Sequence, residues 1–243
     1  MALLLSACGG SGNGGTNTNT GGGGTGGTTS TPVSSTGVIT GFGSVFINGV
    51  QYELENGTVV AIEDEPDSLG DDSRLRLGMK VRMRARIENN QRIAERIEFD
   101  EDLKGIVRDI VSDVLDPGIG TFRIQRIRVV VDADTIFDDD VGDNDSNGMI
   151  DIRDLSDTGD VVVEVSGFII EGGILATRID RILPGDPDIN EVEVKGRITD
   201  ISGLPTSFVL NRELTVNING TSYDQGLTGV NDLTLELFVE VKG

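Results

Sequence analysis

The feature that most restricts the fold is an alternation of apolar and polar residues in short runs, broken by Gly, Asn, Asp and Pro, that holds from Thr36 onward. A period of two puts every second side chain on one face of a strand, and no window of a dozen residues carries a helical stripe. The chain is therefore all-β. Laid against itself, it shows a unit of roughly 60 to 85 residues that recurs nearly three times. Each unit opens with a Gly and an alternating run: Gly37-Val38-Ile39-Thr40, Gly105-Ile106-Val107-Arg108-Asp109 and Gly196-Arg197-Ile198-Thr199-Asp200. Second strands follow at Ser44–Ile47, Thr121–Ile124 and Ser207–Leu210, and third strands at Val50–Leu54, Ile127–Val131 and Leu214–Ile218. Asn48-Gly49, between the first two of these in unit one, is a hairpin-turn signal.

A polar or acidic excursion then leads to a long fourth strand, at Leu77–Arg84, Gly159–Val165 and Leu237–Val241. A fifth strand carries Ala and Ile three residues apart, Ala94 with Ile97 and Ala176 with Ile179, and the third unit has no counterpart. Five short strands bury one face by curling into a small barrel, because closure removes exposed edges. The expected fold is a series of small five-stranded antiparallel barrels, OB-like, behind a disordered Gly/Ser/Thr-rich tether. The expected boundaries are a signal-peptide remnant at 1–8, a linker at 9–36, barrels at 37–101 and 102–187, and an incomplete barrel at 188–243. In that last unit Leu237–Val241 is expected to be an exposed edge or to be completed by a strand from the linker, a neighbouring barrel or a second molecule, unless the sequence is a fragment.

The N-terminus reads as an address. Met1–Cys8 is too short to span a bilayer, which needs about 20 apolar residues, and reads as the end of a signal peptide. Leu5-Ser6-Ala7-Cys8 resembles the lipobox of bacterial lipoproteins, in which the Cys thiol receives a diacylglycerol and becomes the mature N-terminus. Cys8 is the chain's 1 cysteine. From Gly9 to Thr36 the chain is almost wholly Gly, Ser, Thr and Asn. A coil of roughly 28 such residues reaches about 30 Å, which suits a tether from a membrane surface. The implied location is the bacterial cell envelope, with the membrane as partner through the lipid.

Gly41-Phe42-Gly43-Ser44-Val45-Phe46-Ile47-Asn48-Gly49, followed by Leu77-Gly78-Met79 and by Ala94 with Ile97, resembles the bacterial domain of unknown function 5666. The resemblance implies a small β-barrel in tandem copies behind a lipobox and a flexible tether, and brings no catalytic residues with it. The second unit departs from the pattern by lacking the Gly-Phe-Gly-Ser turn, and the third by lacking its end.

Composition narrows the chemistry. With no His, the chain has no imidazole base, no Ser-His-Asp or Cys-His triad and no His-ligated metal, and a single Cys builds neither a zinc site nor an internal disulfide. A net charge of -21, from 41 acidic against 20 basic residues, repels phosphate backbones and argues against nucleic acid. No enzyme is expected and no catalytic residue is assigned. The carboxylates are the one dense chemistry, and one run has a pattern: Asp143-Asn144-Asp145-Ser146-Asn147-Gly148-Met149-Ile150-Asp151-Ile152-Arg153-Asp154 follows the calcium-loop spacing of EF-hand and dockerin modules. Asp143, Asp145 and Asn147 stand at positions 1, 3 and 5, Gly148 at the sharp turn, the Met149 carbonyl at position 7, Asp151 at 9, and Asp154 where EF-hands place a bidentate Glu. Calcium is thus the expected cofactor. The leading functional expectation is a membrane-anchored structural or adhesion module. The alternative is a calcium-dependent binding protein for an envelope polymer or a small ligand, and another envelope protein is a further candidate partner.

Overall fold

The computed structural model describes residues 4–7, 31–63, 65–156, 161–187 and 189–243, with the backbone alone for residues 4–7. Cys8, the tether as far as Ser30, Asp64, Gly159 and Asp160 lie outside the described residues. The chain opens with β1 (Leu4–Ala7), whose place becomes clear only in the third unit.

The first unit comprises β2 (Thr31–Gly41), β3 (Val45–Ile47), β4 (Val50–Ile62), β5 (Ser68–Leu69), β6 (Lys80–Glu88) and β7 (Gln91–Phe99). Hydrogen bonding runs in the order β3-β2-β6-β7-β4, and β4 pairs back onto β3, so five strands close into a barrel while β5 clips the outer end of β4. Inward positions alternate as expected: Val81, Met83 and Ala85 on β6 are buried, and Arg82 and Arg84 between them are exposed. Asn48 and Gly49 both have positive φ, 50° and 75°, as a two-residue type I′ hairpin turn requires.

Two details correct the sequence reading. β2 starts at Thr31 and pairs with β6 from Thr31↔Ile87 to Val38↔Lys80, so the last stretch of the expected linker is strand. Its side chains there are largely exposed, and what holds it is the backbone ladder that the long β6 offers. The barrel is also not wholly antiparallel, because β4 and β7 run parallel. The excursion from Glu63 to Met79 carries the chain across the barrel end, and the β6–β7 hairpin then returns it alongside β4 in the same direction.

The second unit repeats this topology with β8 (Leu103–Ser112), β9 (Gly120–Ile124), β10 (Ile127–Val131), β11 (Ile136–Phe137), β12 (Val162–Ile170) and β13 (Gly173–Ile182). β8 pairs with β9 and β12, β9 with β10, and β13 with β12, while β10 and β11 run parallel to β13, so this barrel closes in the same order. The third unit has β14 (Glu193–Asp200), β15 (Ser207–Leu210), β16 (Leu214–Asn217), β17 (Ser222–Asp224) and β18 (Phe238–Lys242). Among the described residues the fifth place in this unit is taken by β1. β1 lies antiparallel to β18, with Leu4↔Lys242 to Ala7↔Val239, and parallel to β17. These are the directions β7 and β13 adopt in their own barrels, so among the described residues β1 lies along the β18 edge in the fifth-strand position.

The cores are unequally shared. Unit one packs its own cluster around Ile39, Val45, Tyr52, Met83 and Ile97, whereas one continuous cluster spans units two and three and contains Phe122, Val165, Ile198 and Phe208. Hydrogen bonds and an ion pair cross from unit one to unit two. Lys80 N–H donates to Ser166 Oγ at 2.7 Å, the Lys80 ammonium pairs with Asp102, and the Arg178 guanidinium donates to the Leu77 carbonyl at 3.1 Å.

Candidate metal centre

Where β11 ends, the chain makes one 3₁₀ turn at Asp139–Val141, runs through the acidic loop and makes a second at Ile152–Asp154. Strands flank the whole excursion, yet the loop itself lies between two short helical turns. Asp151 caps the second turn from its N-terminus and Asp154 reaches back to the Asp151 N–H at 2.9 Å, a reciprocal capping box. Ile152 is fully buried and Ile150 packs against the shared core, so the loop's exit is anchored by apolar contacts.

This framework turns the carboxylates inward. Asp143, Asp145 and Asp154 each offer an oxygen within 4.8 Å of the others. Asp143 accepts from Asn147 N–H at 3.0 Å and Gly148 N–H at 2.9 Å, and Asp145 accepts from Asn147 N–H at 3.1 Å. Gly148 has φ 87°, a conformation that a side chain would strain. Asp154, buried, accepts from Asn144 N–H at 2.6 Å and Asp145 N–H at 3.1 Å. Each carboxylate keeps lone pairs beyond those bonds, and three anionic groups facing one another repel unless a cation lies between them.

The other three positions behave differently. Asn147 turns its side-chain oxygen to the Met149 N–H at 2.8 Å. Met149 has a side chain 59% exposed, which leaves its carbonyl as its contribution to a cation. Asp151 is engaged by Arg153, whose backbone N–H and Nε both donate to Oδ1 at 2.9 Å, and the arginine's hydrogen bonds hold the Asp151 carboxyl below its ordinary range. Arg153 Nε also stands 3.7 Å from Asp145 Oδ2. The donor set the loop brings together is thus Asp143, Asp145 and Asp154, with Asp151 drawn aside by a residue the spacing argument did not weigh.

A second acidic group was not foreseen. Glu63 from unit one, Asp100 just after β7 and Glu193 from unit three also lie within 4.8 Å of one another. There the cation is already supplied by the protein: Lys195 Nζ sits among all three, 2.6 Å from Glu63, and donates to the Glu101 carbonyl at 2.8 Å. Lys242 Nζ meets Glu63 at 2.7 Å and both Glu193 and Glu240 at 3.1 Å. Burial, and then the charges of Glu101, Glu240 and Asp102, push Asp100 up to about 8. Desolvation drives Glu193 upward as well, with Glu101 and Glu240 adding to it. This second group is an ionic seam between units, and the ammonium of Lys195 occupies the position a metal would take.

A family model for a domain of unknown function (DUF5666) matches residues 32–98 and again 104–180. The chain belongs to that family. The two matches coincide with the two self-closed barrels, and the acidic loop lies within the second DUF5666 copy. Neither a curated protein nor a solved structure matches the chain.

Proposed function

We propose that this DUF5666 protein is a non-catalytic module of the bacterial cell envelope, lipid-anchored through Cys8 after removal of Met1–Ala7, whose second barrel holds calcium in the Asp143–Asp154 loop; that removal takes β1 with it and leaves the β18 edge of the mature protein open to another strand. The supporting observation is the convergence of Asp143, Asp145 and Asp154 within 4.8 Å on a loop with calcium-type spacing, with the Arg153 guanidinium at the edge of the group, 3.7 Å from Asp145 and bonded to Asp151. Calcium serves there as a structural clamp. It relieves the repulsion among the carboxylates and fixes the excursion that covers one end of the barrel. Affinity in the weak range of extracellular modules, about 10⁻⁴–10⁻³ M, follows from an Asp in place of the bidentate Glu.

Isothermal calorimetry with calcium tests this reading: the wild type releases binding heat at millimolar calcium, and a chain with Asp143→Ala and Asp145→Ala does not. Equal heats for both chains, or none for either, exclude the site. The anchor is tested separately by mass spectrometry of the mature protein, which finds an acylated Cys8 at the N-terminus. A Cys8→Ser form that still fractionates with membranes refutes it.

A further inference from the structure

We propose that the mouth of the first barrel binds a neutral saccharide, with Phe42 as the surface on which a sugar ring stacks. The cavity there has a volume of about 540 Å³, within the range of small-molecule sites, and lies where the β2–β3 turn meets β4 and the Gly70–Leu75 stretch of the following excursion. Phe42 is 41% exposed beside it, and Leu75, almost wholly buried, forms part of the apolar floor.

The polar lining selects the ligand class. Glu53, Asp72, Ser44 and Ser73 line the cavity, and no Lys or Arg does. The guanidinium groups of the adjoining stretch already have partners: Arg74 binds Glu65 and the Pro66 carbonyl, and Arg76 the carbonyls of Ser73 and Leu75. A phosphate or carboxylate ligand would meet two anions and no cation. The site is rich in acceptors and needs a ligand that brings donors. Glu53 is held in place by Ser44 Oγ–H at 3.0 Å and by Gln51 Nε2–H at 2.9 Å, while the Asp72 carboxylate accepts no hydrogen bond among the described residues. Sugar hydroxyls in the plane of the ring supply such donors, and the ring's C–H face suits an aromatic surface. A quaternary ammonium is disfavoured because its recognition uses a cage of aromatic faces, and this mouth has one. In the second barrel the excursion comes up against the β8–β9 turn, where a Cβ on Gly118 would stand 3.1 Å from Asp151 Oδ2.

Saturation-transfer NMR on the full chain in EDTA, with glucose, N-acetylglucosamine, cellobiose and chitobiose as probes, tests the proposal. At least one sugar receives saturation on its ring protons, and Phe42→Ala weakens that binding by about tenfold with an unchanged melting temperature, as expected for an exposed side chain. Asp72→Asn weakens it less, by about threefold. No transfer to any of the four sugars, or equal transfer in wild type and Phe42→Ala, overturns the assignment. So does binding of tetramethylammonium with no sugar binding, and so does a sugar signal that appears only with calcium present, which would place the site at the acidic loop and not at this mouth.

Discussion

The first and second barrels have the same strand order and differ in what lies over the junction between the first turn and the long excursion. In unit one that junction is an open cavity beside Phe42; in unit two the excursion is acidic, carries two 3₁₀ turns and packs Asp151 against the turn at Gly118. The scaffolds stay alike because inward pairs conserve volume and not identity. Tyr52 faces Val45 across β3 and β4, Phe122 faces Val129 across β9 and β10, and Phe208 faces Val216 across β15 and β16. Each barrel puts one aromatic opposite one Val, on either strand, so the core tolerates the exchange while the loops diverge. Function in such a fold belongs to the excursions, which are free to change without altering closure.

The comparison is most severely tested in the cores. Phe122→Ala should cost about 3–5 kcal/mol, and because units two and three share a cluster from which unit one is separate, urea denaturation should show two transitions with only one displaced. A single transition that moves as a whole would break the division. Next is the seam. Lys195→Met removes the ammonium among Glu63, Asp100 and Glu193 and should cost about 3 kcal/mol, the lower end for a broken buried pair because Glu63 and Asp100 retain some solvent. An unchanged urea midpoint would show that the seam adds nothing.

Acidity separates seam from loop by sign. Asp100 has its folded value near 8 against 3.8 unfolded, so its contribution is complete below about pH 4 and declines as pH rises to about 8. Asp151 is held low by Arg153, so its contribution is present above about pH 4 and is lost as pH falls. Urea midpoints between pH 5 and pH 8 should therefore fall for the transition that opens the seam, and a rise would contradict the shift assigned to Asp100. On the proposed function calcium is expected to act on the second barrel: at ten times its dissociation constant it should add about 1.4 kcal/mol to that transition and protect the loop from proteolysis, leaving unit one unmoved. The smallest effect is at the tip of the β8–β9 turn, where Val114 and Leu115 are 92% and 94% exposed; replacing both with Ser should change stability by less than about 0.5 kcal/mol, read from the same midpoints.

Much of this was legible in the residues. The alternation located most barrel strands to within a few positions, because a half-buried strand must repeat every second residue, though β2 starts at Thr31 and not Gly37 and β4 runs on to Ile62 and not Leu54; Asn48-Gly49 marked its hairpin because few dipeptides accept two positive φ values. The aspartate spacing marked the loop that brings Asp143, Asp145 and Asp154 together, since a turn closed by Gly148 returns those positions to a common centre. Arg153 escaped notice because its claim on Asp151 depends on side-chain direction and not on spacing.

What the chain determined by itself is therefore local: strand period, turn chemistry, repeat number and the crowding of carboxylates. What tertiary structure decided is which outward face meets which. In Glu193-Val194-Lys195 and Val239-Glu240-Val241-Lys242 the charged residues alternate with buried Val as solvent-facing residues would, and the pattern is correct for each barrel taken alone. Unit one then packs on that outer face, and Glu193, Lys195 and Glu240 become almost wholly buried. The parallel β4–β7 pairing and the insertion of β1 beside β18 were hidden in the same way. A side chain's period reports the face it occupies on its own strand, and carries no record of the strand or the barrel that will cover it.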